Sequence, residues 1–420
     1  IFKGQMKITI PLTVEVVGTI QSHLSGLLGN DAMFYELLQN ADDAEAKEIF
    51  FDFRHKELRV WNSGVFQYCG DLKESNCPLQ QAGGKKCDFH SISTMASRGK
   101  AEDSDNIGRF GIGFVSTYQI CDTPEIESVG KKLKLDPTEA ETCTFEDVPK
   151  ESGTLFRLPW ASDPKSGLRK TLHLSPITDD YKRRCLKDCK TALPNSLLFL
   201  KHTTNAKIKK NGKTIFSLEV DRDEDKDPNV VPLILSSGPN STPEQWFIYQ
   251  YDATAAIKPI YKEYPELETQ KRKTQVSVAF RTGPNPLTPR EGLLYAFLPT
   301  RKQTRLPIHV NADFFPESSR KTIISEDDRY QGRWNKTLIE TAAKGVASDL
   351  ERIRDEAGIK YLWDLLESAY EIVHSKRSPR EPIFKCFWDS FRDAAEQGAE
   401  IGLSEKNEYK PLSELVSSRK

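Results

Sequence analysis

The sequence has no apolar run long enough to cross a bilayer and no charged leader followed by an apolar stretch, so a membrane span or a membrane partner is not expected. Neither sign of charge prevails. Sixty Lys and Arg face 61 Asp and Glu, for a formal net charge of -1, which excludes a polybasic nucleic-acid binder by bulk charge. Cysteine is sparse: eight residues are scattered over 420, far from the density of a small disulfide scaffold, and a reducing compartment fits best. The expected location is the cytoplasm, with the nucleus left open. No internal repeat is visible. With isoleucine at position 1 and "VSSRK" at the other end, the chain reads as part of something longer. At this length it has room for two or three domains, each with its own core.

What is present is a sequence of distinct segments. Residues 9–29 carry apolar positions and end in "LLGND", a helix stopped by Gly29 and recapped by Asn30 or Asp31. "FYELLQNADDAEAK" begins a second helix, and "EIFFDFRHKELRVWNSG" reads as two strands around a polar turn at 54–56. Residues 65–106, rich in Gly, Ser, Lys and Cys, form a long connection or insertion. "GRFGIGFVSTYQI" is a glycine-rich turn running into an apolar helix, and another helix covers roughly residues 177–192. Beyond it the pattern turns to strands, with Asn211-Gly212 as a hairpin signal. This suggests units at 1–200 and 201–332, with a helical segment at 333–420 running to the end.

Three places suggest chemistry. In the second helix Phe34, Leu37, Leu38 and Ala41 make one apolar face, while Glu36, Asn40 and Asp43 follow an i, i+4, i+7 stripe beside it. Such a stripe is either a solvated helix surface or a set of oxygen ligands. Gly108, Gly111 and Gly113 stand where a backbone must approach something closely, just before a helix whose N-terminal amides attract phosphate. "WNSG" is a polar turn at a strand end, able to read a base.

In this order, "ELLQNADDA", "NSG", "GRFGIGFVS" and "GT" resemble the motifs of the GHKL (Bergerat-fold) ATPases, and "FYELLQNADDA", "IGRFGIGFVSTYQI", "SLLFLK" and "LPIHVNADFF" look like its sacsin-type branch. The motifs span residues 20–325. The resemblance implies an α/β (α+β) protein: a Bergerat-fold sandwich with a lid, then a β-rich transducer-like domain and a helical tail. It implies ATP and Mg²⁺ as cofactors. Asn40 would give an amide oxygen to Mg²⁺, and Glu36 would orient or deprotonate the attacking water. Asp43 and Lys47 would extend the polar network or be solvated surface. Gly108, Gly111, Gly113 and Phe114 would bring backbone amides to the phosphates, Thr154 would stand near the adenine, and "SISTMASRGK" would be the lid. Arg320 or Lys321 could send a cation to the γ-phosphate, or be solvated. The adenine turn departs from the pattern: the superfamily's aspartate is replaced by Asn62 with Ser63 beside it, and Gly64 keeps the turn. An asparagine oxygen can accept from the adenine amino group but adds no negative charge.

Cys69, Cys77, Cys87 and His90 form C-x7-C-x9-C-x2-H within the 65–106 segment. Two readings stand: a closed Zn²⁺ set giving a core to a loop that has none, or separate reduced thiols. Cys185 and Cys189, one helical turn apart, read as packing.

The resulting expectation is Mg²⁺-dependent ATP binding and slow hydrolysis that drives lid closure and domain association within a larger protein, with dimerisation on ATP as a superfamily habit. Two alternatives remain: a nucleotide-gated chaperone-like or scaffold module with negligible turnover, and the ATPase part of a nucleic-acid-acting or bacterial defence machine, which the basic runs at 84–86 and 182–190 allow. A histidine kinase is disfavoured, since no phosphoacceptor-type helical pair precedes the Glu36 helix. The client is left unspecified.

Overall fold

The computed structural model describes residues 16–25, 29–72, 77–93, 113–138, 143–223, 227, 229–238, 241–317, 321–325, 329–375, 382–404 and 406–415. Helices α1 (Val16–Ser25) and α2 (Asp31–Asp43) lead into strands β1 (Glu48–Phe53) and β2 (Glu57–Asn62). Two short helices follow, α3 (Pro78–Gln81) and α4 (Asp88–Ser93), then a 3₁₀ helix, Gly113–Gln119. Strands β3 (Glu125–Ser128), β4 (Lys131–Leu135), β5 (Cys143–Asp147) and β6 (Thr154–Pro159) precede α5 (Gly167–Thr171) and α6 (Asp179–Ser196). Four strands come next, β7 (Asn205–Lys210), β8 (Lys213–Arg222), β9 (Val230–Ser236) and β10 (Glu244–Asp252), then α7 (Thr254–Glu263) and α8 (Glu266–Thr269). Strands β11 (Gln275–Thr282), β12 (Leu293–Ala296), β13 (Leu298–Gln303) and β14 (His309–Ala312) complete the main sheet. Helices α9 (Tyr330–Ser348), α10 (Leu350–Ala357), α11 (Ile359–His374) and α12 (Lys385–Glu396) then lead to a small pair, β15 (Gly402–Leu403) and β16 (Tyr409–Lys410).

The α/β class expected from the sequence is what the chain adopts. Fourteen strands make one mixed sheet in the order β13-β12-β14-β11-β10-β9-β8-β7-β1-β2-β6-β3-β4-β5. The β1–β2 pair is the antiparallel hairpin the sequence announces, while β7 runs parallel to β1 and carries the sheet onward. Asn211 and Gly212, both at positive φ, turn β7 back into β8. One apolar core lies under α2 and α6 and reaches Trp246 and Leu298, and a second gathers α7 and α9–α12 against β10, β11 and β14.

Several local expectations change. Asn30 sits at the α2 N-cap position without a side-chain cap bond. Its amide instead donates to Asp188 at 2.8 Å, and its oxygen accepts from the Tyr181 hydroxyl at 2.5 Å, so it ties α2 to α6. The apolar helix expected after the glycine turn is a seven-residue 3₁₀ segment. Val115, Ser116, Thr117 and Tyr118 in it are all buried, and helix-poor residue types there yield to packing on α1 and α2. The tail is not helical to its end. Gly398, at φ 97°, follows α12, and Asn407, at φ 58°, turns β15 into β16. Among the described residues no helix is long and apolar enough to cross a membrane.

Candidate functional site

Helix α2 is fixed by its apolar face. Phe34 meets Phe51 edge-on at 5.4 Å and lies 6.3 Å from Phe53, while Met33, Leu37, Leu38 and Ala41 are buried with them. This packing leaves Glu36 nearly buried, with Asn40 and Asp43 part-exposed on the adjoining stripe. The C-terminal end is held by a residue the sequence reading passed over. Asp42 is 1% exposed. Its carboxylate accepts from the backbone N–H groups of Lys201 (3.1 Å), His202 (2.7 Å) and Thr203 (2.8 Å) on the approach to β7. Nothing in "NADDA" distinguishes this carboxylate from its neighbour Asp43, because its partners lie some 160 residues away.

The Asn62 turn is built against that same end of α2. Asn62 ends β2, pairs with Thr154 across the β2–β6 ladder, and is buried. Its side-chain oxygen accepts from Gly64 N–H at 3.0 Å. Thr154 donates its hydroxyl to the Gly64 carbonyl at 2.9 Å and lies 2.9 Å from the Ser128 hydroxyl. Ser63 turns away, accepting from the N–H groups of Lys47 (2.8 Å) and Glu48 (3.2 Å). Gly64 is required here: a β-carbon would stand 2.6 Å from the Ala44 carbonyl and 2.9 Å from the Ala44 side chain. Gly153 is equally confined, at φ 77° with a β-carbon position 2.2 Å from the Asn62 carbonyl. Asn40, Asp43, Asn62, Gly64 and Thr154 are thereby brought to one end of α2.

The other expected residues divide. Lys47 has an exposed side chain, and its backbone joins the Ser63 turn to Thr204 and Asn205. Phe114 packs its ring 5.8 Å from Phe156, and Gly113 begins the 3₁₀ helix. Gly108, Gly111, Arg320 and most of "SISTMASRGK" lie outside the described residues. Lys321 is placed by its carbonyl, which accepts from Arg301 N–H at 2.7 Å. Arg301 in turn pairs with Asp31 in the first turn of α2 at 2.9 Å. The sequence reading missed Arg301; a lone arginine in a strand 270 residues from its partner carries no signal. Cys185 and Cys189 are buried in α6, and burial pushes both thiols up, as packing residues should behave. The thiols of Cys69, Cys77 and Cys87 are not separate: with His90 they converge, each offering a ligand atom within 4.8 Å of the others.

A cleft of about 630 Å³ between β10 and α9 stands apart from this region. Asp227, Asp252, Glu340 and Asp349 outnumber Lys344 and Arg352 on its walls, the wrong charge for a polyphosphate.

Residues 14–146, which include α2, match the family model of the Sacsin domain. This segment is sacsin-like. Human sacsin is 35% identical over 107 residues, which is 24% of this chain and 2% of sacsin. Chaperone protein HtpG of Methylococcus capsulatus is 24% identical over 200 residues, 43% of this chain and 30% of HtpG. The chain thus spans less than a third of either curated relative. Among solved structures, the ATPase region of Saccharomyces cerevisiae topoisomerase II, one form bound to ICRF-187 (dexrazoxane), covers 77% of this chain and 85% of its own at a TM-score of 0.34 and 10% identity. The sacsin-like and chaperone-like resemblance read from the motifs is met by the family match over residues 14–146 and by the two curated relatives.

Proposed function

We propose that the chain binds Mg²⁺-ATP at the C-terminal end of α2 and hydrolyses it slowly, as a switch that drives lid closure and domain association. The observation that carries this reading is the seating of the Asn62–Gly64 turn on Ala44, which sets Asn62 and Thr154 beside the Asn40 and Asp43 end of the helix. The residues fit the group. Asn40 and Asp43 are oxygen donors, the ligand type a hard cation takes, and the lack of room for a methyl group at Gly64 keeps the Asn62 turn seated on the helix end beside them. Asn40 would hold Mg²⁺, which supplies charge compensation at the phosphates. Glu36, shielded by the helix packing, would hold the attacking water and accept its proton. Asn62 and Thr154 would face the base with no carboxylate among them, and both already bond to Gly64. Adenine is therefore expected to be read less strictly than the phosphates.

Arg301 supports a link between the later strands and α2. It joins β13 to the first turn of α2 through Asp31, and its backbone carries the strand that holds Lys321. A motion transmitted along β13 would move this contact. Homodimerisation, a client and further domains of a longer protein belong to the same proposal. Phosphate release that disappears in Glu36→Ala while nucleotide binding persists tests it; turnover unchanged by that substitution contradicts it.

A further inference from the structure

We propose that Cys69, Cys77, Cys87 and His90 hold one Zn²⁺ in a closed structural site that clips the segment leaving β2. Their ligand atoms lie within 4.8 Å of one another. The His90 Nδ1 is 3.1 Å from the Cys87 sulfur and 3.4 Å from the Cys69 sulfur. A tetrahedral zinc with its usual bond lengths separates its sulfur and nitrogen ligands by about 3.5–3.8 Å, so the widest pair would close by up to about 1 Å and the His90–Cys87 pair would open by about 0.4 Å around the ion. A single imidazole nitrogen facing two thiols cannot serve both well as one donor or one acceptor. Three sulfurs and one nitrogen turned to a common point are explained by an ion at that point.

The local chain gives the same indication. Helix α3 buries none of its four residues and α4 only Phe89 and His90, yet Cys77 and Cys87 are fully buried. The two ends of the cluster are pinned together: Gln67 N–H donates to the Asp88 carboxylate at 2.7 Å, and Asp88 N–H donates to the Gln67 carbonyl at 3.3 Å. Cys87 directly precedes α4 and His90 lies three residues on, so both reach the same side. Cys87 N–H also donates to the Cys77 sulfur at 3.3 Å, a contact that fixes where this sulfur points. Cys69, the part-exposed member, lies 2.9 Å from the Asp71 carbonyl as a thiol donor.

Four protein ligands leave no open position, so the site is structural. Its thiolates select zinc over magnesium, which keeps it distinct from the nucleotide site. The cluster begins five residues beyond Gly64, so the metal would hold the outgoing side of the Asn62 turn whether or not nucleotide is bound.

The whole 420-residue chain, produced in zinc-containing medium and purified without chelators, should carry about one zinc per chain by mass-spectrometric metal analysis. Stripping it with a strong chelator should expose three additional reactive thiols, and Co²⁺ in its place should give the intense visible spectrum of a tetrahedral thiolate site. Cys87→Ser should lower zinc affinity more than tenfold. If that variant does not fold, Cys69→Ser, at the part-exposed ligand, provides the same readout. Parent protein with zinc far below one per chain despite zinc supply, or with two of the three thiols joined as a disulfide, overturns the proposal.

Discussion

Removing the Asp42 carboxylate should loosen the C-terminal end of α2. Three backbone N–H groups depend on it: His202 and Thr203 on one oxygen, Lys201 on the other. Hydrogen bonds to a charged acceptor contribute about 1.5–3 kcal/mol each and do not add fully, so Asp42→Ala should cost about 3–5 kcal/mol. Asp42→Asn separates geometry from charge. It can keep the His202 and Thr203 bonds while its amide meets the Lys201 N–H donor to donor, for a cost of about 1–3 kcal/mol. Urea unfolding gives the stability difference. Amide exchange reads it locally: at tenfold per 1.4 kcal/mol, protection at His202 and Thr203 should fall roughly a hundredfold or more in Asp42→Ala. A loss under about 1 kcal/mol with exchange unchanged would mean that β7 is held to α2 by apolar packing alone, and the account of that corner would be wrong.

Gly64→Ala puts a methyl group 2.6 Å from the Ala44 carbonyl, so the turn must leave the helix end; a stability loss of about 1–3 kcal/mol and at least about tenfold weaker nucleotide binding are expected by thermal melting and titration. Unchanged binding would show that the close approach is structural only. His309 gives a pH prediction. Burial, with Arg281 adding to it, lowers its pKa from 6.5 to about 3, and its Nδ1 accepts from Leu293 N–H at 3.1 Å beside the stacked Trp246 ring. Above pH 6.5 the group is neutral in both states; as pH falls from there towards 3, only the unfolded chain takes the proton, so stability is lost. Between pH 6.5 and 5 the parent should lose about 1.6 kcal/mol more than His309→Asn in urea titrations, and parallel profiles would refute a buried neutral imidazole.

Much of the first half was legible in the sequence because its signals are local. The β1–β2 hairpin follows from alternating residues around a polar turn, and the α2 stripe from spacing alone. Asn211-Gly212 announces a turn because few other pairs accept positive φ twice. What escaped depends on distant partners. The choice of Asp42 over Asp43 as the buried carboxylate is made by residues 201–203, and the parallel β1–β7 pairing joins segments separated by nearly the whole first half. Asn30 looks like a helix cap, yet Tyr181 and Asp188 claim its side chain. The cysteine spacing is too loose to specify a metal set, and it is the Gln67–Asp88 closure that brings the sulfurs together.

The most direct test of the central claim is calorimetric titration of Mg²⁺-ATP into the parent chain and Glu36→Ala, with phosphate release followed on the same samples. The account predicts that both bind and only the parent turns over. Absence of binding in the parent would contradict it, and would mean that the Asn62 turn, satisfied by its own bonds to Gly64, has lost the nucleotide.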